Sequence, residues 1–151
     1  WFGKANREDH TFPVAGIRTT ARALGLVSVR KGRLSPTAAA IRCGHDPMAL
    51  WRHIVGRLPL GTKDAERQAG WMALAVAGSG VPAQDWGGEI SDLLYALGWR
   101  SGHDRYSPPP ANSATLDVLE QLAGASRVRW REITGVDLAV SATARAVFRI
   151  G

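Results

Sequence analysis

The 151-residue chain contains a single cysteine, Cys43, so an internal disulfide is excluded. A chain without disulfides is expected in a reducing compartment, and we expect a cytoplasmic location. The longest apolar run, residues 71–77, is far shorter than the roughly 20 residues that a membrane span needs. No signal peptide is recognisable at the start of the chain. We therefore expect no membrane partner.

The sequence also lacks the motifs of common catalytic, cofactor and metal sites. Residues 78–80 read Gly-Ser-Gly but have neither the lysine nor the helix start of a phosphate-binding loop. No serine elbow is present. Cys43, His45 and His53 are spaced unlike a closed zinc site or an HExxH helix. We therefore expect no enzymatic activity, no cofactor and no metal ion.

The composition is that of a folded protein with a basic excess. Hydrophobic residues make up 45% and charged residues 21%, an ordinary globular balance, and six tryptophans predict a substantial packed interior. The formal net charge of +6 favours an anionic partner, nucleic acid first, but a protein without such a partner can also carry it. Residue 1 is Trp rather than Met, so we expect this chain to be part of a longer protein.

The segment from Pro13 to Gly25 has the pattern of an amphipathic helix. Proline is favoured in the first turn and glycine just past the end. Arg18 and Arg22 lie four residues apart, on the face opposite the apolar residues. The predicted apolar stripe comprises Val14, Ile17, Ala21 and Leu24.

A β-hairpin is predicted directly after this helix. Residues 26–30 and 33–35 alternate in polarity as short strands do, and residues 31–32 read Lys-Gly, a two-residue turn with glycine in second place. Ser35 is the expected cap of the short Ala-rich helix that follows. The sequence therefore predicts a helix, a hairpin and a second helix in direct succession.

Four more helical patterns follow the short Ala-rich helix. The second of them is apolar nearly all round beyond Gly70, which predicts a central buried helix. The first of the four is expected to be capped by Asp46 and to end at Pro59, and the second to be capped by Thr62 and to end at Gly78. The third is expected to be capped by Asp85 and to end at Gly98, and the fourth to be capped by Asn112 or Ser113 and to end at Gly124.

One short motif occurs twice. GRLSPTAAAI (32–41) and SATARAV (141–147) both contain S-x-T-A-x-A. Residues 128–131 and 136–140 alternate in polarity ahead of the second copy and predict a second hairpin. We interpret the motif as the hairpin-to-helix joint of one unit used twice.

The predicted fold is α+β and mainly helical. One winged-helix-like unit is expected at 1–61, and helices plus a second such unit at 62–151, packed as one compact body.

A helix followed by a hairpin and another helix resembles the second half of a winged-helix domain. The segments WFGKANREDHTFPV, IRTTARALGLV, KGRLSPT and DPMALWRHIVGRLPLG also resemble the C-terminal region of plasmid (Ri-type) ORF-three-like proteins of actinobacteria. That resemblance covers roughly residues 1–61. It implies a mild association with DNA and a name-giving domain that precedes Trp1, but no settled activity.

Two functions are compatible with these patterns. In the first, double-stranded DNA is bound by the first unit through Arg18, Arg22, Arg30, Lys31 and Arg33. In the second, the chain is a protein–protein module that docks to its own N-terminal domain or to a second copy, and the arginines only solvate it. The second unit is a poor DNA reader, because Asp117 and Glu120 in its helix would repel phosphate. DNA binding requires an exposed positive surface, whereas a docking module requires an exposed apolar patch.

Overall fold

The computed structural model describes residues 12–102, 106–123 and 138–150. Within them the fold is mainly helical with one antiparallel hairpin, which confirms the predicted α+β class. The elements in chain order are α1 (Phe12–Ala23), β1 (Val27–Arg30), β2 (Arg33–Pro36), α2 (Ala38–Cys43), α3 (Pro47–Arg57), α4 (Asp64–Ser79), a 3-10 turn (Ala83–Asp85), α5 (Trp86–Ala96), α6 (Ala114–Leu122) and α7 (Leu138–Ile150).

Helix α4 is the centre of the core, as its apolar composition predicts. It packs against α5, α6 and α7. Its own Leu74 is fully buried, and each of the three neighbouring helices contributes a fully buried apolar residue to the same cluster: Ile90, Leu119 and Ala144. None of the helices in the described ranges combines the length and apolar character that a bilayer span requires.

Glycine at position 70 allows the chain to approach α4 closely. The hydroxyl Oγ1 of Thr115, at the start of α6, accepts a hydrogen bond of 2.8 Å from the backbone N–H of Leu60. A Cβ at Gly70 would lie 2.7 Å from that hydroxyl and 2.9 Å from the Cβ of Pro59. The loop before α4 and the first turn of α6 therefore meet α4 where it has no side chain.

The polar groups that enter the core are hydrogen-bonded. Ser141 Oγ in α7 donates to the carbonyl oxygen of Ala77 over 2.6 Å, and the indole Nε1 of Trp51 donates to Thr143 Oγ1 over 3.0 Å. The indoles of Trp86 and Trp99 also donate, to Val81 and Gln68. Buried groups that keep their hydrogen bonds avoid a desolvation cost of about 1–3 kcal/mol each. The predicted packing role is confirmed for these tryptophans and for Trp71, whereas Trp130 lies outside the described residues.

Thr37 joins the first helix, the hairpin and the second helix. Its hydroxyl donates to the carbonyl oxygen of Gly25 over 2.7 Å and accepts from the backbone N–H of Ala40 over 3.2 Å. Its own N–H donates to the carbonyl oxygen of Leu26 over 3.0 Å. Thr37, not Ser35 as the sequence suggested, is therefore the N-cap of α2, because Ser35 is still paired in β2 opposite Ser28.

Of the four other predicted caps, those of α3 and α6 are confirmed and those of α4 and α5 are not. Asp46 caps α3 by accepting from the N–H of Met48, and Ser113 rather than Asn112 caps α6 by accepting from the N–H of Leu116. Thr62 is not the cap of α4. The helix begins one residue later, and the N–H of Thr62 instead donates to the carboxylate of Glu66. Asp85 precedes α5 without a side-chain cap bond.

The second copy of the S-x-T-A-x-A motif is not a joint. Helix α7 begins at Leu138, so all six residues from Ser141 to Ala146 lie inside one helix. Residues 138–140, which the alternation assigned to a strand, form the first turn of that helix. The rest of the proposed second hairpin lies outside the described residues. The two copies therefore occupy different structures, and the division of the chain at residue 61 stays a prediction.

Replacing Thr37 by alanine should destabilise the protein more than replacing the predicted cap Ser35. Thr37→Ala removes a cap and a second hydrogen bond, so we expect the free energy of unfolding to fall by about 1–2 kcal/mol. Ser35→Ala should change it by less than about 0.5 kcal/mol. Urea unfolding followed by circular dichroism measures both, with Thr37→Ser as the variant that keeps the hydroxyl. The reverse order of the two losses would contradict the assignment.

Alanine at position 70 should also destabilise the protein, although alanine is the better helix former. The gain in helix propensity is about 1 kcal/mol, whereas forcing a methyl into a packed interior typically costs about 1–3 kcal/mol. Gly56 in α3 is the matched control, because a Cβ there meets no atom within 4 Å. We expect Gly70→Ala to lower the midpoint of urea unfolding and Gly56→Ala to raise it. A raised midpoint for Gly70→Ala would rule out the close approach.

Candidate functional site

Helix α1 exposes Arg22, whereas Arg18 is half-buried. The packing side of α1 is marked by Gly16, where a Cβ would lie 2.9 Å from the side-chain nitrogen of Gln121 in α6. Arg18 and Arg22 are four residues apart on the opposite side of the helix.

Two side chains of α3, His53 and Arg57, hold the C-terminal end of α1. The ring nitrogen Nε2 of His53 donates to the carbonyl oxygen of Leu24 over 2.8 Å, since a carbonyl can only accept. Arg57 Nη2 donates to the carbonyl oxygen of Ala23 over 3.4 Å. The last carbonyls of a helix lack partners within it, so these bonds fix α1 on α3. His53 is thus engaged in helix capping, and no group of three or more potential metal ligands occurs in the described ranges.

The hairpin has one polar and one apolar face. Because β1 and β2 are antiparallel, directly opposite residues share a face, and successive residues alternate between faces. Arg30 lies opposite Arg33, and the next polar pair is Ser28 with Ser35. The apolar face consists of Val29 opposite Leu34 and Val27 opposite Pro36.

The tip of the hairpin carries three exposed cations on a strained turn. Lys31 and Gly32 have φ angles of 49° and 74°, which define the type I′ geometry that suits a two-residue hairpin. Lysine in this left-handed region costs roughly 1–2 kcal/mol relative to a residue that tolerates it. The flanking pair Arg30 and Arg33 places two like charges directly opposite each other, which is also unfavourable. The hairpin tip is therefore locally less stable than a turn without these cations would be.

The net positive charge of the sequence lies in its first 45 residues. Residues 1–45 contain eight Lys or Arg and two acids, whereas the other 106 residues contain eleven of each. No Asp or Glu occurs between Asp9 and Asp46. Sequence reasoning missed Arg42, which is exposed in the last turn of α2, although this acid-free stretch could have indicated it. The part of the chain formed by α1, the hairpin and α2 is called the basic unit below.

Apolar side chains are exposed on the same unit. The predicted stripe of α1 does not face the core along its length: Leu24 is buried, but Val14 is 46% and Ile17 is 59% exposed. The reason is that α1 packs on α6 through the side that carries the smaller Gly16, which the apolar pattern could not indicate. Leu34 of the hairpin and Ile41 of α2 are exposed as well.

The residues expected to repel DNA belong to the core side of the molecule. Asp117 and Glu120 are half-buried in α6, which packs against both α4 and α1. Comparison of the chain with family models, with curated proteins and with solved structures found no match. Any functional assignment therefore rests on the residues and geometry of this chain.

Changing Lys31 to asparagine should stabilise the hairpin. Asparagine tolerates the left-handed conformation better than lysine and removes one of three neighbouring positive charges, so we expect the free energy of unfolding to rise by up to about 1 kcal/mol. Lys31→Arg, which keeps the charge and the strain, should leave it unchanged. Urea unfolding of the two variants and the parent protein measures the difference. A loss of stability in Lys31→Asn would contradict a strained turn.

Proposed function

We propose that the chain binds double-stranded DNA through the basic unit and has no catalytic role of its own. The observation that carries this proposal is the hairpin tip, where Arg30, Lys31 and Arg33 are all exposed. It belongs to the first 45 residues, which account for the whole net charge of +6, since residues 46–151 are neutral overall. Phosphate contacts by Lys and Arg dominate the affinity of proteins for DNA.

The arrangement of α1 and the hairpin supports a winged-helix mode of contact. In that mode the outward side of α1, with Arg18 and Arg22, approaches the major groove, and the hairpin tip touches the backbone beside it. Arginine is suited to both tasks, because its planar guanidinium binds phosphate and the edge of guanine in a bidentate manner. The resemblance to plasmid ORF-three-like proteins is part of this proposal, in which the chain is an accessory DNA-binding region.

The test is a fluorescence-anisotropy titration with duplex DNA at salt concentrations from about 50 to 200 mM. Each phosphate contact contributes about −0.9 to the slope of log affinity against log salt. We therefore expect the double variant Arg30→Ala/Arg33→Ala to bind more weakly and to reduce the magnitude of the slope by about two. Arg22→Ala should reduce it by about one, or by less if Arg22 contacts a base.

The matched control for each single-charge change is Arg67→Ala. Arg67 is exposed on α4, outside the basic unit, so its loss removes the same charge without removing a proposed contact. It should leave affinity and slope nearly unchanged. The proposal fails if the parent protein shows no salt-dependent binding, or if Arg67→Ala weakens binding as much as Arg22→Ala does.

A second candidate function is a protein–protein interaction module. The exposure of Ile17, Leu34 and Ile41 on the basic unit favours it, because an interaction surface needs large exposed apolar side chains. An interaction module of this kind would bury those side chains against a partner. An interaction module would not require the affinity for DNA to fall with salt concentration in the way described above.

A further inference from the structure

Helix α5 has an exposed side that is both acidic and apolar. Its inward side is formed by Trp86, Ile90 and Leu94, which are all buried. Leu93 and Leu97, which are 39% and 53% exposed, extend the outward side along the helix. This outward side is called the acidic stripe, and it comprises Glu89, Asp92, Leu93, Ala96 and Leu97.

The acidic stripe and the basic unit are complementary in charge. No Lys or Arg occurs between Arg67 and Arg100, a stretch that contains three acids, two of them in the stripe. The basic unit has the reverse composition, with six Lys or Arg and no acid. Both surfaces also expose large apolar side chains, such as Leu97 in the stripe and Ile17 in the basic unit.

Within one molecule the two surfaces belong to elements with different packing partners. Helix α5 packs on α4, whereas α1 packs on α6 and α2 packs on α3 and the hairpin. The exposed residues of the acidic stripe are therefore not covered by the basic unit of their own chain. A surface of matching chemistry is nevertheless present on every other copy of the protein.

We infer that the acidic stripe of one molecule docks on the basic unit of a second copy. Opposite charges at the rim orient the encounter and reject incorrect partners, while the apolar side chains of both surfaces lose their exposure to water. The two surfaces differ, so the contact is heterologous and joins molecules head to tail. An interface built from so few exposed apolar residues lies at the small, transient end of the range, below about 1,200 Å².

This inference does not depend on DNA binding, although both use the cations of the basic unit. It is tested first without DNA, by sedimentation equilibrium of the chain at up to about 0.5 mM, where a weak association is populated. At about 50 mM salt the mean mass should rise with protein concentration, and at about 500 mM salt it should return to that of a monomer. A mass that stays monomeric at low salt overturns the inference.

The acidic stripe is tested by a matched pair of charge reversals, Glu89→Lys and Asp64→Lys. Both acids are exposed in the first turn of a helix, so reversal costs the same interaction with the helix dipole in each case. Glu89→Lys should raise the dissociation constant by about tenfold, because it places a cation against the basic unit. Asp64→Lys should leave it within about twofold, and equal effects of the two variants would overturn the assignment to α5.

A mixing experiment tests the head-to-tail geometry. One variant, Glu89→Gln/Asp92→Asn, removes the charges of the acidic stripe, and another, Arg30→Gln/Arg33→Gln, removes the two arginine charges of the hairpin. Each alone should be monomeric, whereas an equimolar mixture should form a one-to-one complex, since each variant keeps the surface that the other has lost. A mixture that remains monomeric overturns the inference.

Titration with duplex DNA separates this inference from the proposed function. If both hold, DNA should dissociate the self-associated protein, because phosphates and the acidic stripe compete for the same cations. Self-association that is undisturbed by DNA, in a protein that binds no DNA, supports the inference and overturns the proposed function. Salt-dependent DNA binding by a protein that stays monomeric supports the proposed function and overturns the inference.

Discussion

Helix α4 is surrounded by other segments at distances that only small side chains permit. A Cβ at Gly70 would overlap the Thr115 hydroxyl, and one at Gly78 would lie 3.3 Å from Arg145 Cγ in α7. Between these glycines, Ala73 and Ala77 are fully buried. Because protein interiors are packed as densely as organic crystals, a larger residue at any of these points forces the neighbouring atoms to shift. The positions of α6 and α7, and through α6 that of α1, depend on this close approach.

The basic unit is attached to that core by the buried Leu24 at the end of α1 and by several directional bonds. Gly16 of α1 lies against Gln121 in α6, and His53 and Arg57 of α3 bind the last carbonyls of α1. Thr37 then fixes the hairpin and α2 relative to the end of α1. These contacts engage the ends and one side of α1, so its opposite side and the hairpin tip remain exposed. Net charge is also divided unequally, since residues 46–151, which supply most of the core cluster, are neutral overall and the first 45 residues carry the positive excess.

Local chemistry made several elements predictable. The Asp46 cap, the Gly25 stop and the two-residue hairpin turn each depend on residues within four positions along the chain, and each is present in the structure. The central position of α4 was also predictable, because a helix that is apolar nearly all round has no side suited to water. Of the predicted contact residues, Arg22, Arg30, Lys31 and Arg33 are exposed, as a surface role requires, and Arg18 is half-buried.

What the sequence could not indicate depends on distant contacts. The side of α1 that faces inward depends on its packing against α6, about a hundred residues along the chain, and Ile17 is exposed despite its apolar character. The repeated motif was misleading for a related reason. Small hydroxyl residues suit both a helix cap and a buried helix interior, and partners elsewhere decide between them. The Thr37 hydroxyl donates a hydrogen bond to the carbonyl oxygen of Gly25. The Thr143 hydroxyl accepts one from the indole N–H of Trp51 and donates one to the carbonyl oxygen of Ala139.

The exceptions to local stability rules are concentrated in the basic unit. Lys31 is the one non-glycine residue with a positive φ angle in the described ranges, and its flanking arginines oppose each other. Near α4, by contrast, the indole N–H groups of Trp51, Trp86 and Trp99 and the hydroxyl of Ser141 have hydrogen-bond partners. Natural proteins satisfy local rules in their cores and break them chiefly where a surface serves another purpose. The strained turn and the like-charge repulsion at the hairpin tip are therefore a physical reason to seek a partner of the basic unit there.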